Sequence, residues 1–181
     1  MNCSKHTLFK SILLSTLFCV TAFAQHFNLE LEDTGESTLF IFNLDVTSLE
    51  IGDEVGLFDG DLLVGTGTWG ISDSTGTGTW NADQGQLEVA AIGSVDLSDF
   101  GGPILPGYTA GNTMSLKIWD DSEGCEYDAT YTTSFGSGSF NGLFSNVNSV
   151  TTTGDPVCDD GGGGDGGWDG DACSMPDNSF H

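Results

Sequence analysis

Apolar and polar positions alternate with a period of two through most of residues 26–153, and turn residues interrupt the alternation every few positions. In residues 26–33 Phe27, Leu29 and Leu31 alternate with Asn28, Glu30 and Glu32, which predicts a strand with one buried and one wet face. Residues 38–44 are apolar at both parities, the pattern of a central strand. Residues 54–58 and 62–69 flank Asp59-Gly60, a hairpin signal in which both central turn positions are expected at positive φ. Leu87, Val89 and Ala91 alternate again, as do Met114, Leu116 and Ile118. Tyr127, Ala129 and Tyr131 follow a turn at residues 120–124, and residues 146–152 form a last β-branched run. No window carries an apolar stripe of helical period. The pattern predicts an all-β domain, an antiparallel β-sandwich of jelly-roll or Ig-like type with eight to nine strands.

The flanks read differently. Lys5 and Lys10 precede the apolar run 12–20, which leads into Ala22-Phe23-Ala24, the order of a secretory signal peptide cleaved after Ala24. The run is well short of the ~20 residues of a spanning helix. Leu17 and Phe18 stand before Cys19 where lipidation needs small residues. Residues 154–172 contain eight glycines and six aspartates, too little apolar surface for a core, and predict a disordered Gly/Asp-rich linker. Residues 173–181 return to ordinary composition and read as the start of a further module or a truncated end. The expected layout is a signal peptide at 1–24, a β-sandwich domain at 25–153, the linker at 154–172 and that final segment.

Charge narrows the partners. Among 181 residues, 27 acids face three lysines and no arginine, a formal charge of −24. A nucleic-acid backbone needs clustered cations, and an anionic membrane surface needs them too, so neither is expected as a partner. Loss of residues 1–24 would leave Lys117 as the single cation, with 20 acids in the β domain and seven beyond residue 153. Such a surface suits a saline or calcium-bearing exterior. Export also leaves an odd set of cysteines, Cys125, Cys158 and Cys173, of which Cys158 and Cys173 bracket the glycine-rich stretch and are the expected disulfide pair.

The residues for most catalytic chemistry are missing. His26 and His181 stand at the ends of the exported chain, far from any paired nucleophile, and His/Cys spacing for zinc is absent. Carboxylates remain: Asp53, Glu54, Asp59 and Asp61 are close in sequence, but turns favour aspartate for structural reasons. Calcium is the better expectation. It needs several oxygens on a loop, which Asp59 and Asp61, or Asp120, Asp121 and Glu123, would supply; the tail lacks the residue order of known calcium loops. For sugar stacking Trp69, Trp80 and Tyr108 are the candidate platforms, Trp80 being the one expected at the surface beside Asn81-Ala82-Asp83. Gly65-Thr66-Gly67-Thr68-Trp69 recurs as Gly76-Thr77-Gly78-Thr79-Trp80, and the plain reading is two adjacent strands of similar alternation.

Ile51-Gly52-Asp53-Glu54-Val55-Gly56-Leu57-Phe58-Asp59-Gly60-Asp61, then Val64-Gly65, then Gly107-Tyr108-Thr109-Ala110-Gly111, then Ile118-Trp119-Asp120 follow one another in an order that resembles a β-rich module of large secreted or cell-surface bacterial proteins exported by type IX secretion. The resemblance spans roughly residues 49–133. It implies an extracellular β module without assigned chemistry, and so supplies no catalytic residues. Cysteine often follows the turn of that module where this chain has Leu62 or Leu63, which implies an unpaired Cys125. The leading expectation is a non-catalytic extracellular module with an adhesion or assembly role. It requires no cofactor, with Ca2+ as a possible stabiliser, and takes an extracellular polysaccharide, a protein or a second copy as partner. The alternatives are a carbohydrate-binding module of a polysaccharide-active protein and a subunit of an extracellular fibre.

Overall fold

The computed structural model describes residues 25–72 and 76–159. Ten strands follow in order: β1 Ser37–Phe42, β2 Glu54–Asp59, β3 Leu62–Thr68, β4 Gly78–Asn81, β5 Gln86–Ile92, β6 Val95–Asp96, β7 Ile104–Leu105, β8 Ser115–Asp120, β9 Cys125–Phe135 and β10 Phe144–Cys158. Eight of them form one sheet in the order β3-β2-β8-β9-β10-β1-β5-β4, and β6 and β7 pair by themselves around a single 3₁₀ turn. The all-β expectation holds, but the arrangement differs in two respects. β1 runs parallel to β10, so the sheet is mixed, and it is one continuous ladder that curls until it nearly closes. Local alternation reports which face of a strand is buried and carries no information on which distant strand lies beside it, so the parallel pair was not legible.

The inward parity of each strand fills a single core. Phe40 and Phe42 of β1, Val55 and Leu57 of β2, Leu87 and Val89 of β5, and Leu116 and Ile118 of β8 are buried there with Val147 and Phe140. The near-closure lies where β3 meets β4, and it explains the repeated Gly-Thr-Gly-Thr-Trp. Thr77 N donates to Thr66 O at 3.2 Å, and a Cβ on Gly78 would stand 2.4 Å from Gly67 Cα. Only glycine on both strands lets the backbones come so near. Thr66 Oγ1 is the one buried side-chain polar atom among the described residues without a hydrogen-bond partner.

Five further expectations are revised. Residues 26–33 keep the predicted facing, with Phe27 buried and Asn28, Glu30 and Glu32 exposed, but they pair with no strand. In the β2–β3 hairpin Asp59 pairs with Leu62, so the central turn residues are Gly60 and Asp61, and only Gly60 has positive φ, at 60°. That is the glycine-first form of two-residue hairpin turn, one position on from the expected frame. β10 runs through the expected linker start to Cys158, passing Gly154 at φ 77° in an irregular stretch of the ladder. There Cys158 lies opposite Cys125, and the two form a disulfide. The expected Cys158–Cys173 pair and the unpaired Cys125 are therefore both corrected. Ladder register, which sequence spacing does not reveal, selects the partner. Residues 1–24, with the expected signal peptide, and residues 160–181, with Cys173 and most of the expected linker, lie outside the described residues.

Candidate functional site

The acidic candidates fall into two groups at opposite ends of the β2–β8 pair, because Glu54 is level with Trp119 and Phe58 with Ser115. At one end Asp59 accepts from Thr109 N at 2.7 Å and Asn112 Nδ2 at 2.8 Å, which ties the 107–112 loop to the hairpin, while Asp61 sits exposed in the turn. At the other end Asp120 accepts from Ser122 Oγ and Glu123 N, and Glu123 accepts from the Tyr127 hydroxyl. The Asp121 amide donates to Asp53 Oδ1. Burial pushes the Asp53 carboxyl up, against the bonds it accepts from the Glu50 and Asp121 amides, and the nearby charges of Asp120 and Glu50 push it further. Among the described residues no three ligating side chains converge on one point.

The aromatic candidates are interior. Tyr108 is buried, stacks on Phe140 at 4.5 Å and accepts a hydrogen bond from Thr38 Oγ1. Trp69 is buried too, and Trp80 is half-buried against it with ring centroids 4.9 Å apart. Trp80 is thus less open than its polar neighbours in sequence suggested, because β4 is drawn onto β3 at the near-closure.

The start of the described chain is held by side chains instead of a ladder. Both Glu54 carboxylate oxygens accept from His26 N, and Oε2 also accepts from Phe27 N at 3.0 Å. The His26 ring lies flat on Trp119 at 3.9 Å and reaches Glu126 at 2.9 Å; Lys117 meets the other Glu126 oxygen at 2.7 Å. Burial works to raise the Glu126 carboxyl, but the bonds from Lys117 and His26 outweigh it and hold the group below its ordinary value. A carboxyl lowered in the fold contributes stability above its unfolded pKa and loses it as pH falls through the folded value. The same contact with Glu126 raises Lys117, so that contribution is present below the ordinary lysine value and lost as pH rises through the folded one. Glu126→Gln is expected to lose about 1 kcal/mol or less at neutral pH, since both partners are partly exposed. It is also expected to flatten the acid limb of the stability profile. Urea melts of both proteins across the acid range check this, and an unchanged acid limb would count against it.

One surface differs from all of these. Residues 129–154 contain no charged side chain in a chain where 17% of residues are charged. They make up most of the β9–β10 hairpin. Thr130, Thr132 and Ser134 are exposed along β9, and their hydroxyls bond across to β10: Thr130 Oγ1 to Thr151 O at 3.3 Å and Thr132 Oγ1 to Asn148 Oδ1 at 3.1 Å. Where β8 begins to leave β9 an open groove of about 760 Å³ is lined by Thr113, Ser115, Asp128, Thr130, Thr132 and Ser137, with Tyr131 among its walls. The Tyr131 hydroxyl donates toward the carbonyls of Met114 and Gly138, each at 3.0 Å. At the loop end of the hairpin Phe135 and Phe144 stack at 4.7 Å while 58% and 43% exposed, beside Leu143 at 70%. The sequence carried this signal as a gap between Asp128 and Asp155, but a charge summed over the whole domain hides it. Among the described residues no helix is long and apolar enough to cross a membrane. Compared with family models, curated proteins and solved structures, the chain matches none of them.

Proposed function

We propose that the chain is a non-catalytic, extracellular β module that adheres or assembles through the uncharged outer face of its β9–β10 hairpin. The observation that carries the reading is the contrast between that face and the rest. Most of the candidate acids accept hydrogen bonds from neighbouring groups of the fold, and the candidate aromatics pack inward. Among the described residues the hairpin combines a row of hydroxyls and exposed aromatic rings without charge, beside a groove whose one charged lining residue is Asp128. A neutral partner approaches it without the desolvation cost of a charged group. Calcium enters this reading as a screening counter-ion for the acidic remainder of the surface.

A second reading, carbohydrate binding, is favoured by the exposed Phe135–Phe144 pair beside the hydroxyl and amide row, an apolar platform of the kind on which a sugar ring stacks. The test for both is retention on a panel of neutral and acidic polysaccharides and on bacterial cell surfaces. The double variant Thr130→Glu/Thr132→Glu is expected to bind about tenfold more weakly or worse, and Trp80→Ala to bind as the parent does. Loss confined to Phe135→Ala and Phe144→Ala, on glycans only, selects the carbohydrate reading. Equal retention of the parent and the Thr130→Glu/Thr132→Glu variant on every surface would sink the assignment of this face.

A further inference from the structure

The long strand β10 has two edges with different fates. β9 pairs with it from Asn146 to Cys158, whereas β1 pairs only with Phe144, Ser145, Asn146 and Val147. Beyond that point the edge turned toward β1 has no ladder. In the β9 ladder Thr151 lies opposite Thr130 and Thr153 opposite Asp128, and each pair is also joined by a threonine hydroxyl, Thr130 Oγ1 to Thr151 O and Thr153 Oγ1 to Asp128 O. Ser48 Oγ, from the segment that follows β1, donates to Val150 O at 2.8 Å on the opposite side. Backbone groups alternate along a strand, so the N–H and C=O of Thr152 point away from β9. Among the described residues no strand covers them.

Exposed edges are ordinarily blunted by lysine, proline, a bulge or a covering element. Here Thr151, Thr152 and Thr153 are exposed, uncharged and β-branched, and Pro156 comes only after them. The ends of the eight-stranded sheet, β3 and β4, are closed against one another by the Thr77–Thr66 bond. Among the described residues the β10 edge over residues 151–153 is left open, between the ladder irregularities at Val147–Ser149 and Thr153–Val157.

We propose that this edge pairs with the same edge of a second copy, antiparallel about a two-fold axis at Thr152. The two Thr152 residues exchange both backbone hydrogen bonds, and Thr151 of each copy lies opposite Thr153 of the other. Threonine pairs of this kind are favourable cross-strand neighbours. Regular pairing is confined to residues 151–153, between Val150, whose carbonyl accepts from Ser48, and Gly154, where the strand becomes irregular, and that span carries no charge. An isologous contact closes on itself, giving a dimer and not a fibre. The dimer does not depend on what the outer face of the hairpin binds.

Sedimentation equilibrium of the protein tests this. Dimers are expected at physiological salt, and weaker association at low salt, where the acidic domains repel. Thr152→Pro removes the outward N–H and leaves the β9 ladder intact, and is expected to weaken dimerisation about tenfold or more with the circular dichroism unchanged. Should that variant fail to fold, Thr152→Glu, which opposes two carboxylates at the axis, gives the same readout. A protein that stays monomeric up to millimolar concentration in high salt would overturn the proposal. So would a folded Thr152→Pro or Thr152→Glu variant that dimerises as tightly as the parent. Surface retention of the same variant is read alongside, since lost dimer with kept retention separates this contact from adhesion through the groove.

Discussion

Phe140→Ala is expected to cost about 3–5 kcal/mol of unfolding free energy, the range for removing a fully buried phenylalanine. The residue lies outside any strand, in the segment joining β9 to β10, and is nonetheless completely buried. Its ring stacks on Tyr108 at 4.5 Å and meets Phe40 edge-on at 5.8 Å. Its backbone is held from both sides, with N donating to Asn112 O at 2.9 Å and O accepting from Gly111 N at 2.7 Å. The 107–112 loop, the hairpin loop and β1 therefore share one aromatic plug, and a cavity there has backbone on two sides that cannot collapse into it. Equilibrium urea unfolding measures the loss as a lowered midpoint with an unchanged slope. A cost below about 1 kcal/mol would show that the plug is not part of the core.

The second large effect belongs to the disulfide. Cys125 and Cys158 close a loop with a sequence separation of 33, and chain-entropy reasoning puts its stabilisation at about 3–4 kcal/mol. The double replacement Cys125→Ala/Cys158→Ala should lose that much. It should also release the far end of β10 first, because residues 151–158 are exposed and rely on β9 alone. Peptide mapping without reduction gives the sharper check. A linked peptide joining Cys125 to Cys158 is expected, and one joining Cys158 to Cys173 would contradict the ladder register from which the pairing follows.

These two features show what the sequence could and could not convey. Alternation placed β1, β2, β3, β5, β8 and much of β9 within a residue or two, because each buries one parity of apolar side chains. It could not place β10 beside β1 in parallel, nor Cys158 opposite Cys125, since both depend on pairing between distant segments. Residues 26–33 alternate like a strand but are fastened by Glu54 and by His26 against Trp119, contacts to which a local pattern is blind. The acids of the Asp59 and Asp120 turns were visible in sequence as two separate groups, and the antiparallel register of β2 and β8 sets those groups at opposite ends of the strand pair. The candidate face was present in the sequence only as an absence of charge across residues 129–154. It gained meaning once those residues became the two strands of one exposed hairpin.

Amide hydrogen exchange, comparing the free protein with the protein held on whichever surface of the panel retains it, tests the central claim most directly. Added protection is expected along Thr130, Thr132 and Ser134 of β9 and at Phe135 and Phe144, with the hairpin tip at Gly60 and Asp61 and the turn at Asp120 and Glu123 unchanged. Protection concentrated at those acidic turns, with the β9–β10 face exchanging as it does in the free protein, would contradict it.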